Sequence, residues 1–222
     1  MKRAVICLTR VPIAGKTKTR LMPLLGGARC AALHTAFLQD LSQVYQSLQA
    51  DLFVAYTPED GWEQLREIFP TATAFFPQCS GGLGERMDTA IQSVLDRGYE
   101  ACVLTGSDLP ALKALHFERA FAALQSADLV IGPSLDGGYY LIGMKRPCPE
   151  LFMNQAYGGS NVFESTCRAA NKAGRTIDSV LPCGDVDTPG DLRRLWGEIE
   201  AGKVHCPHTA AFLRQLVQTM KI

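Results

Sequence analysis

The sequence predicts an α/β protein in which a mostly parallel central sheet is covered by helices on both faces. Three observations point there. Short apolar runs alternate with longer segments of helical period, as expected of strands joined by helical crossovers. The chain shows neither internal repeats nor low-complexity stretches, which sets solenoids and fibrous folds aside. Its 47% hydrophobic and 20% charged fractions are those of an ordinary globular chain. At roughly 150 residues per domain, and with no composition shift marking a linker, 222 residues make one domain spanning 1–222.

In chain order, strands are predicted at Arg3–Thr9, Leu52–Tyr56, Thr73–Phe76, Ala101–Thr105, Leu129–Ile131, Tyr139–Met144 and Thr176–Leu181. Leu33, Phe37, Leu41, Val44 and Leu48 step by four, four, three and four, which places a helix with one apolar face near 28–49. Further helices are expected near 60–68, 84–97, 113–125, 160–173, 189–200 and 208–220. Thr188-Pro189-Gly190-Asp191 signals the start of the sixth of these seven helices, with a capping Thr, proline in the first turn and an acid three residues on. Asp136-Gly137-Gly138 between two apolar runs reads as a hairpin turn. In sheets of this kind ligands bind beyond the carboxyl ends of the strands, so the residues after strands one, three, four and five are where a site belongs.

Composition excludes several function classes. Net charge is zero, with 22 cationic and 22 anionic side chains, which argues against a general nucleic-acid or membrane-surface binder. No apolar run approaches the ~18–20 residues a bilayer needs, and the first fails as a secretory core segment, so a cytoplasmic address is expected. The eight cysteines show no C-x-x-C pair or zinc spacing and read as reduced, mostly structural thiols. His205-Cys206-Pro207-His208 is weak evidence for a metal. The four histidines have no Ser or Cys partner at motif spacing, so a hydrolase triad has no support.

Charge is unevenly distributed, however. Residues 1–39 hold seven bases and no acid. Four of the bases, Arg10, Lys16, Lys18 and Arg20, fall in the loop after the first strand, around the turn at Gly15. Phosphate is their natural partner, gripped by side chains, with a solvated basic loop as the alternative. Gly15-Lys16-Thr17 is not a P-loop. Arg10 stands where that pattern needs glycine, Pro12 removes an amide donor, and Pro23 would break the helix such a loop must launch.

Opposite the bases come carboxylates. Gly106-Ser107-Asp108-Leu109-Pro110 closes the fourth strand, where Asp108 either coordinates Mg²⁺ or Mn²⁺ on nucleotide phosphates or caps the next helix. Asp185-Val186-Asp187 offers a second carboxylate, Asp187, for the same ion, with Asp185 the weaker candidate. After the third strand, Gln78 and Gly81 could meet a nucleobase edge, or the segment could be a turn into a helix. Asp136 could bind or deprotonate an acceptor hydroxyl, or serve only its turn.

Taken in order, Pro12-x-x-Gly15-Lys16-x-Lys18-Thr19-Arg20-Leu21, Leu83-Gly84-Glu85-Arg86-Met87, Gly106-Ser107-Asp108-x-Pro110, Gly132-Pro133-x-x-Asp136-Gly137-Gly138-Tyr139-Tyr140-Leu141 and Asp185-Val186-Asp187-Thr188 resemble the DUF2064 family of GT-A-fold transferases. The resemblance spans residues 3–200 and departs at Gly82, where the family carries an acid. It implies a nucleotide-diphospho-sugar transferase fold with a divalent metal, Mg²⁺ or Mn²⁺, at Asp108. Arg10, Lys16, Lys18 and Arg20 would hold phosphates, Gln78 and Gly81 would lie near the base, and Asp136 would face the acceptor. The leading expectation is a metal-dependent glycosyltransferase taking a nucleotide sugar and a small acceptor, with Lys18 and Asp136 catalytic. A nucleotidyltransferase that uses an NTP and releases pyrophosphate is the alternative. A non-catalytic nucleotide-binding module would not need the facing carboxylates. A homodimer is compatible with each of these readings.

Overall fold

The computed structural model describes residues 1–220. Seven strands form one sheet: β1 (Arg3–Arg10), β2 (Asp51–Thr57), β3 (Ala74–Pro77), β4 (Ala101–Gly106), β5 (Leu129–Pro133), β6 (Tyr139–Met144) and β7 (Ile177–Ser179). Their order is β3-β2-β1-β4-β6-β5-β7, and every pairing is parallel except those of β6 with β4 and β5. The apolar runs predict all seven strands, and the mostly parallel sheet follows from the helices between them. β6 is the exception because a five-residue connection cannot hold a crossover; it makes a hairpin, and the Asp-Gly turn forms with Gly137 at φ +89°.

The helices are α1 (Met22–Leu25), α2 (Gly27–Gln46), α3 (Gln64–Ile68), α4 (Leu83–Leu95), α5 (Ala114–Ala123), α6 (Val162–Lys172), α7 (Pro189–Glu200) and α8 (Pro207–Met220). Alternation along the strands sends side chains to two cores. Val5, Cys7, Val54 and Val103 pack with α2 residues Leu38, Leu41 and Tyr45 and α5 residues Phe117 and Phe121. Ala4, Ile6, Phe53, Cys102 and Leu104 pack with Met87, Ile91 and Val94 of α4 on the other face. Both faces are therefore covered, and each fully buried Leu, Ile or Phe contributes roughly 1.5–3 kcal/mol.

A third cluster joins the ends of the chain. Cys30, Leu33 and Phe37 of α2 meet Leu192 and Leu195 of α7 and Leu213 of α8. Asp40, buried in α2, accepts the His208 and Thr209 backbone N–H groups, each at 2.9 Å, and so caps α8 from another element. The predicted capping box of α7 forms: Asp191 donates its N–H to Thr188 Oγ1 at 3.3 Å and its carboxylate accepts the Thr188 N–H at 2.9 Å.

No long helix launches from Gly15-Lys16-Thr17; the chain makes one short turn and then the four-residue α1, where Pro23 sits in the first turn and its missing N–H is harmless. Asp108 caps no helix, because the chain runs on through a turn and α5 begins only at Ala114, after Lys113.

Candidate active site

The sheet reverses its winding between β1, which leads to β2 on one side, and β4, which leads to the other, so the loops beyond Arg10 and Gly106 separate and leave a crevice. A cleft of about 540 Å³ opens there, lined by residues from the ends of β1, β3, β4 and β5, the start of β6, and the loop before α7. Arg10, Lys18, Arg20, Gln78, Asp108, Asp136 and Asp187 all line it. Gly15, Lys16 and Gly81 do not. Gly15 and Lys16 lie exposed on the outer turn, where Gly15 at φ +78° packs against the start of α2 at Gly27. Gly81, at φ +120°, turns the chain into α4, whose Glu85 accepts the Gly82 N–H at 2.7 Å; the turn alternative describes it.

Lys18 lies at the centre of the floor. It is a non-glycine residue in the left-handed region, φ 49° and ψ 44°, a conformation that costs about 1–2 kcal/mol and collects at functional sites. Its side chain is only 3% exposed, and its ammonium donates to Asp187 Oδ1 at 3.1 Å and the Val186 carbonyl at 2.7 Å and pairs with Asp108 Oδ1 at 2.6 Å. The sequence reading placed Lys18 on phosphate; the structure places it on the carboxylates, because α7's loop brings residues 186 and 187 against the first loop. Arg20 is 74% exposed and 3.7 Å from Asp187. Arg10 is exposed at the rim, donating one N–H to the Lys16 carbonyl at 2.9 Å. Burial pushes the Asp108 carboxyl up, but Lys18, His34 and Arg10 more than reverse this and hold it below its ordinary value.

His34 escaped the sequence reading, since it stands beside Leu33 on a helix stripe that reads as core. It is buried behind Asp108, with Nε2 3.2 Å from the Arg10 carbonyl and Nδ1 3.7 Å from Asp108 Oδ1 and without a hydrogen-bond partner. Burial lowers its pKa to about 4, so the imidazole is neutral near neutrality.

Gln78 donates its amide to the Thr9 and Ala55 carbonyls at 2.9 and 3.0 Å, tying two strand ends and leaving its own oxygen for a ligand. Asp136 Oδ1 accepts from the Ser134 hydroxyl and from the Gly138 N–H at 3.1 Å, so the turn and the cleft wall are one structure. The Ser134 bond, against some burial, holds the carboxyl below its usual range. The wall beyond it is aromatic, where Tyr139 and Tyr157 bring their hydroxyls within 3.3 Å. Nothing in the spacing of Tyr157 marked it beforehand.

Asp185 also reaches the cleft. Burial, then Asp187, Asp136 and Asp108, push its carboxyl up to about 6. A carboxyl raised in the folded state favours folding while it keeps its proton and loses that contribution as pH climbs from about 4 through 6. Asp185→Asn removes the penalty. The variant is expected to gain about 2–4 °C in melting temperature relative to the natural protein on going from pH 4 to pH 7, as roughly 1 kcal/mol would give in a chain of this size. Thermal melts at both values check this; a constant difference means Asp185 is freely solvated.

Among the described residues no three His, Cys, Asp or Glu side chains converge on one point, so neither the cleft nor the His205-Cys206-Pro207-His208 segment is an all-protein metal cage. All eight cysteines are free thiols, six of them buried, as expected of structural residues.

The family model described as "Uncharacterized protein conserved in bacteria (DUF2064)" matches residues 40–159. The chain belongs to the DUF2064 family. A crystal structure of a "putative nucleotide-diphospho-sugar transferase" from Desulfovibrio desulfuricans G20 is 33% identical, covers 97% of this DUF2064 chain and 95% of its own, and superposes with a TM-score of 0.87. More distant in sequence, 4-diphosphocytidyl-2C-methyl-D-erythritol synthase from Anaerococcus prevotii DSM 20548 is 12% identical over 90% of this chain and 96% of its own, with a TM-score of 0.60. CMP:2-keto-3-deoxy-manno-octonic acid synthetase, solved with CTP, is 11% identical over 91% and 100%, with a TM-score of 0.58. These last two share the fold. No curated protein matches the DUF2064 chain by sequence. Among its described residues no helix is long and apolar enough to cross a membrane.

Proposed function

We propose that this DUF2064 protein is a metal-dependent transferase that moves a glycosyl group from a nucleotide-diphospho-sugar to the hydroxyl of a small acceptor. One observation carries the reading. Asp108 and Asp187 converge from two loops on a single point of the cleft floor, beneath a rim that bears Arg10 and Arg20. Carboxylates below and guanidinium groups above suit a diphosphate accompanied by a cation.

The donor set fits Mg²⁺ or Mn²⁺. Two carboxylate oxygens suit a hard cation whose remaining positions are filled by phosphate and water; four carboxylates, Asp108, Asp136, Asp185 and Asp187, line the cleft, and two of them, Asp108 and Asp187, pair with the buried Lys18 ammonium. Asp108 and Asp187 would hold the ion, which when bound stabilises negative charge on the departing diphosphate. Arg10 and Arg20 would grip the phosphates through charge-assisted bonds. Gln78 would offer its free oxygen to the base. Across the cleft, Asp136 Oδ2 would take the proton of the acceptor hydroxyl as its oxygen bonds to the sugar carbon and the nucleoside diphosphate leaves.

Nucleotidyl transfer is the second reading, and the state of Asp136 favours it. A carboxylate held below its ordinary pKa is a weak base, and a phosphate acceptor attacking an NTP needs none. Incubation with nucleotide sugars and NTPs separates the two. Sugar transfer is expected to release nucleoside diphosphate, and pyrophosphate release overturns it.

Arg20→Ala is expected to weaken binding of a nucleoside diphosphate about tenfold or more while leaving the nucleoside nearly unaffected, since each charge-assisted contact is worth roughly 1.5–3 kcal/mol. Calorimetric titration with both ligands tests it. Equal losses would make the loop a solvated surface.

A further inference from the structure

The cleft floor already holds a cation. The Lys18 ammonium has three N–H donors and three acceptors, Asp108 Oδ1 at 2.6 Å, Asp187 Oδ1 at 3.1 Å and the Val186 carbonyl at 2.7 Å. Its stem is sealed in, with the ammonium 5.3 Å above the Phe37 ring. A divalent ion shared by the same two carboxylate oxygens would lie about 2.0–2.6 Å from each, in the space the ammonium fills. The two cations exclude each other by volume and by charge.

Resting on the metal-dependent reading above, we propose that Lys18 is a resident counter-ion at the metal position, which keeps a bare divalent cation out and gives way only when a nucleotide diphosphate arrives with it. The backbone supports this. Thr17 and Lys18 are buried while Lys16, Thr19 and Arg20 are exposed, so the left-handed conformation at Lys18 turns one lysine of a basic loop inward. The energetics set the order of events. A divalent ion entering alone must expel the ammonium from three acceptors and leave it beside a second positive charge in a partly buried place. A diphosphate entering with the ion brings acidic oxygens for the displaced ammonium, so every charge keeps a partner. Lys18 thereby passes from the carboxylates to the phosphates, and the sequence-based phosphate role becomes its second position.

Mn²⁺ uptake followed by electron paramagnetic resonance tests the displacement, using the full chain as the natural protein, Lys18→Met and Lys18→Arg. Without nucleotide, Lys18→Met is expected to bind Mn²⁺ at least about tenfold more tightly than the natural protein, a shift of about 1.4 kcal/mol, and Lys18→Arg as weakly as the natural protein. Adding UDP, GDP, CDP or ADP in turn is expected to close the gap for the nucleotide the cleft accepts. Equal nucleotide-free affinities in two folded proteins overturn the proposal. Should Lys18→Met fail to fold, the ammonium resonance of Lys18 in the natural protein decides: it is expected to stay put with Mg²⁺ alone and to move with Mg²⁺ plus the nucleotide, and movement with Mg²⁺ alone overturns the proposal. Absence of Mn²⁺ binding to all three proteins with every nucleotide overturns the metal reading itself, and the displacement with it.

Discussion

Asp108→Asn is expected to lower turnover by about 10³-fold or more while the protein stays folded. The carboxamide keeps the shape of the side chain but removes the charge that meets Lys18 at 2.6 Å and would meet a divalent ion. Losing one preorganised group opposite developing charge typically costs 10²–10³-fold, and loss of a metal ligand adds to that. Stability changes less. Breaking a fully buried ion pair costs about 3–5 kcal/mol, but Asp108 is 40% exposed and Lys18 retains Asp187 and the Val186 carbonyl, so a loss of roughly 1–2 kcal/mol is expected. Steady-state turnover and a melting curve check both halves. Near-normal turnover would remove Asp108 from the chemistry, and an unfolded variant would make the pair a structural one.

Asp136→Asn sets the turn against the chemistry at one residue. Asn Oδ1 can still accept from Ser134 and from the Gly138 N–H, and Asn suits the same turn, so less than about 1 kcal/mol should be lost. A glycosyltransferase that passes a proton to Asp136 should lose about 10²–10⁴-fold in turnover with donor affinity unchanged, because in the proposed arrangement other residues would hold the phosphates. The readouts are melting temperature, donor affinity and turnover measured on the same preparation. Turnover within a few-fold of the natural protein would make Asp136 a turn residue and favour transfer to a phosphate.

The regular elements were legible because each depends on local pattern. The stepping of Leu33, Phe37 and Leu41 marks α2, and the Asp136-Gly137 pair marks the hairpin. Pro23 marks where no long helix can follow the first loop, and it sits in the first turn of the four-residue α1. In the site, strand-end location found Asp108, and a paired-carboxylate pattern found Asp187. Loop membership, in contrast, does not say which way a side chain points. Lys16 and Lys18 look alike in the sequence, yet one faces solvent and the other is buried on partners 90 and 169 residues away. His34 was hidden for the converse reason, a polar residue among the core residues Cys30, Leu33, Phe37 and Leu38.

The joining of the first loop to the last has a consequence in time. Val186 donates its N–H to the Asp108 carbonyl at 2.9 Å, Lys18 reaches back to Val186 and Asp187, and Leu33 and Phe37 are covered by Leu192, Leu195 and Leu213. A chain growing from the ribosome completes β1 to β6 before any of these partners exist. Until the final quarter emerges, the basic loop has no second carboxylate and one flank of α2 has nothing to cover it. The same stretch of chain that covers Leu33 and Phe37 also brings Asp187 to Lys18, so both features wait on one segment.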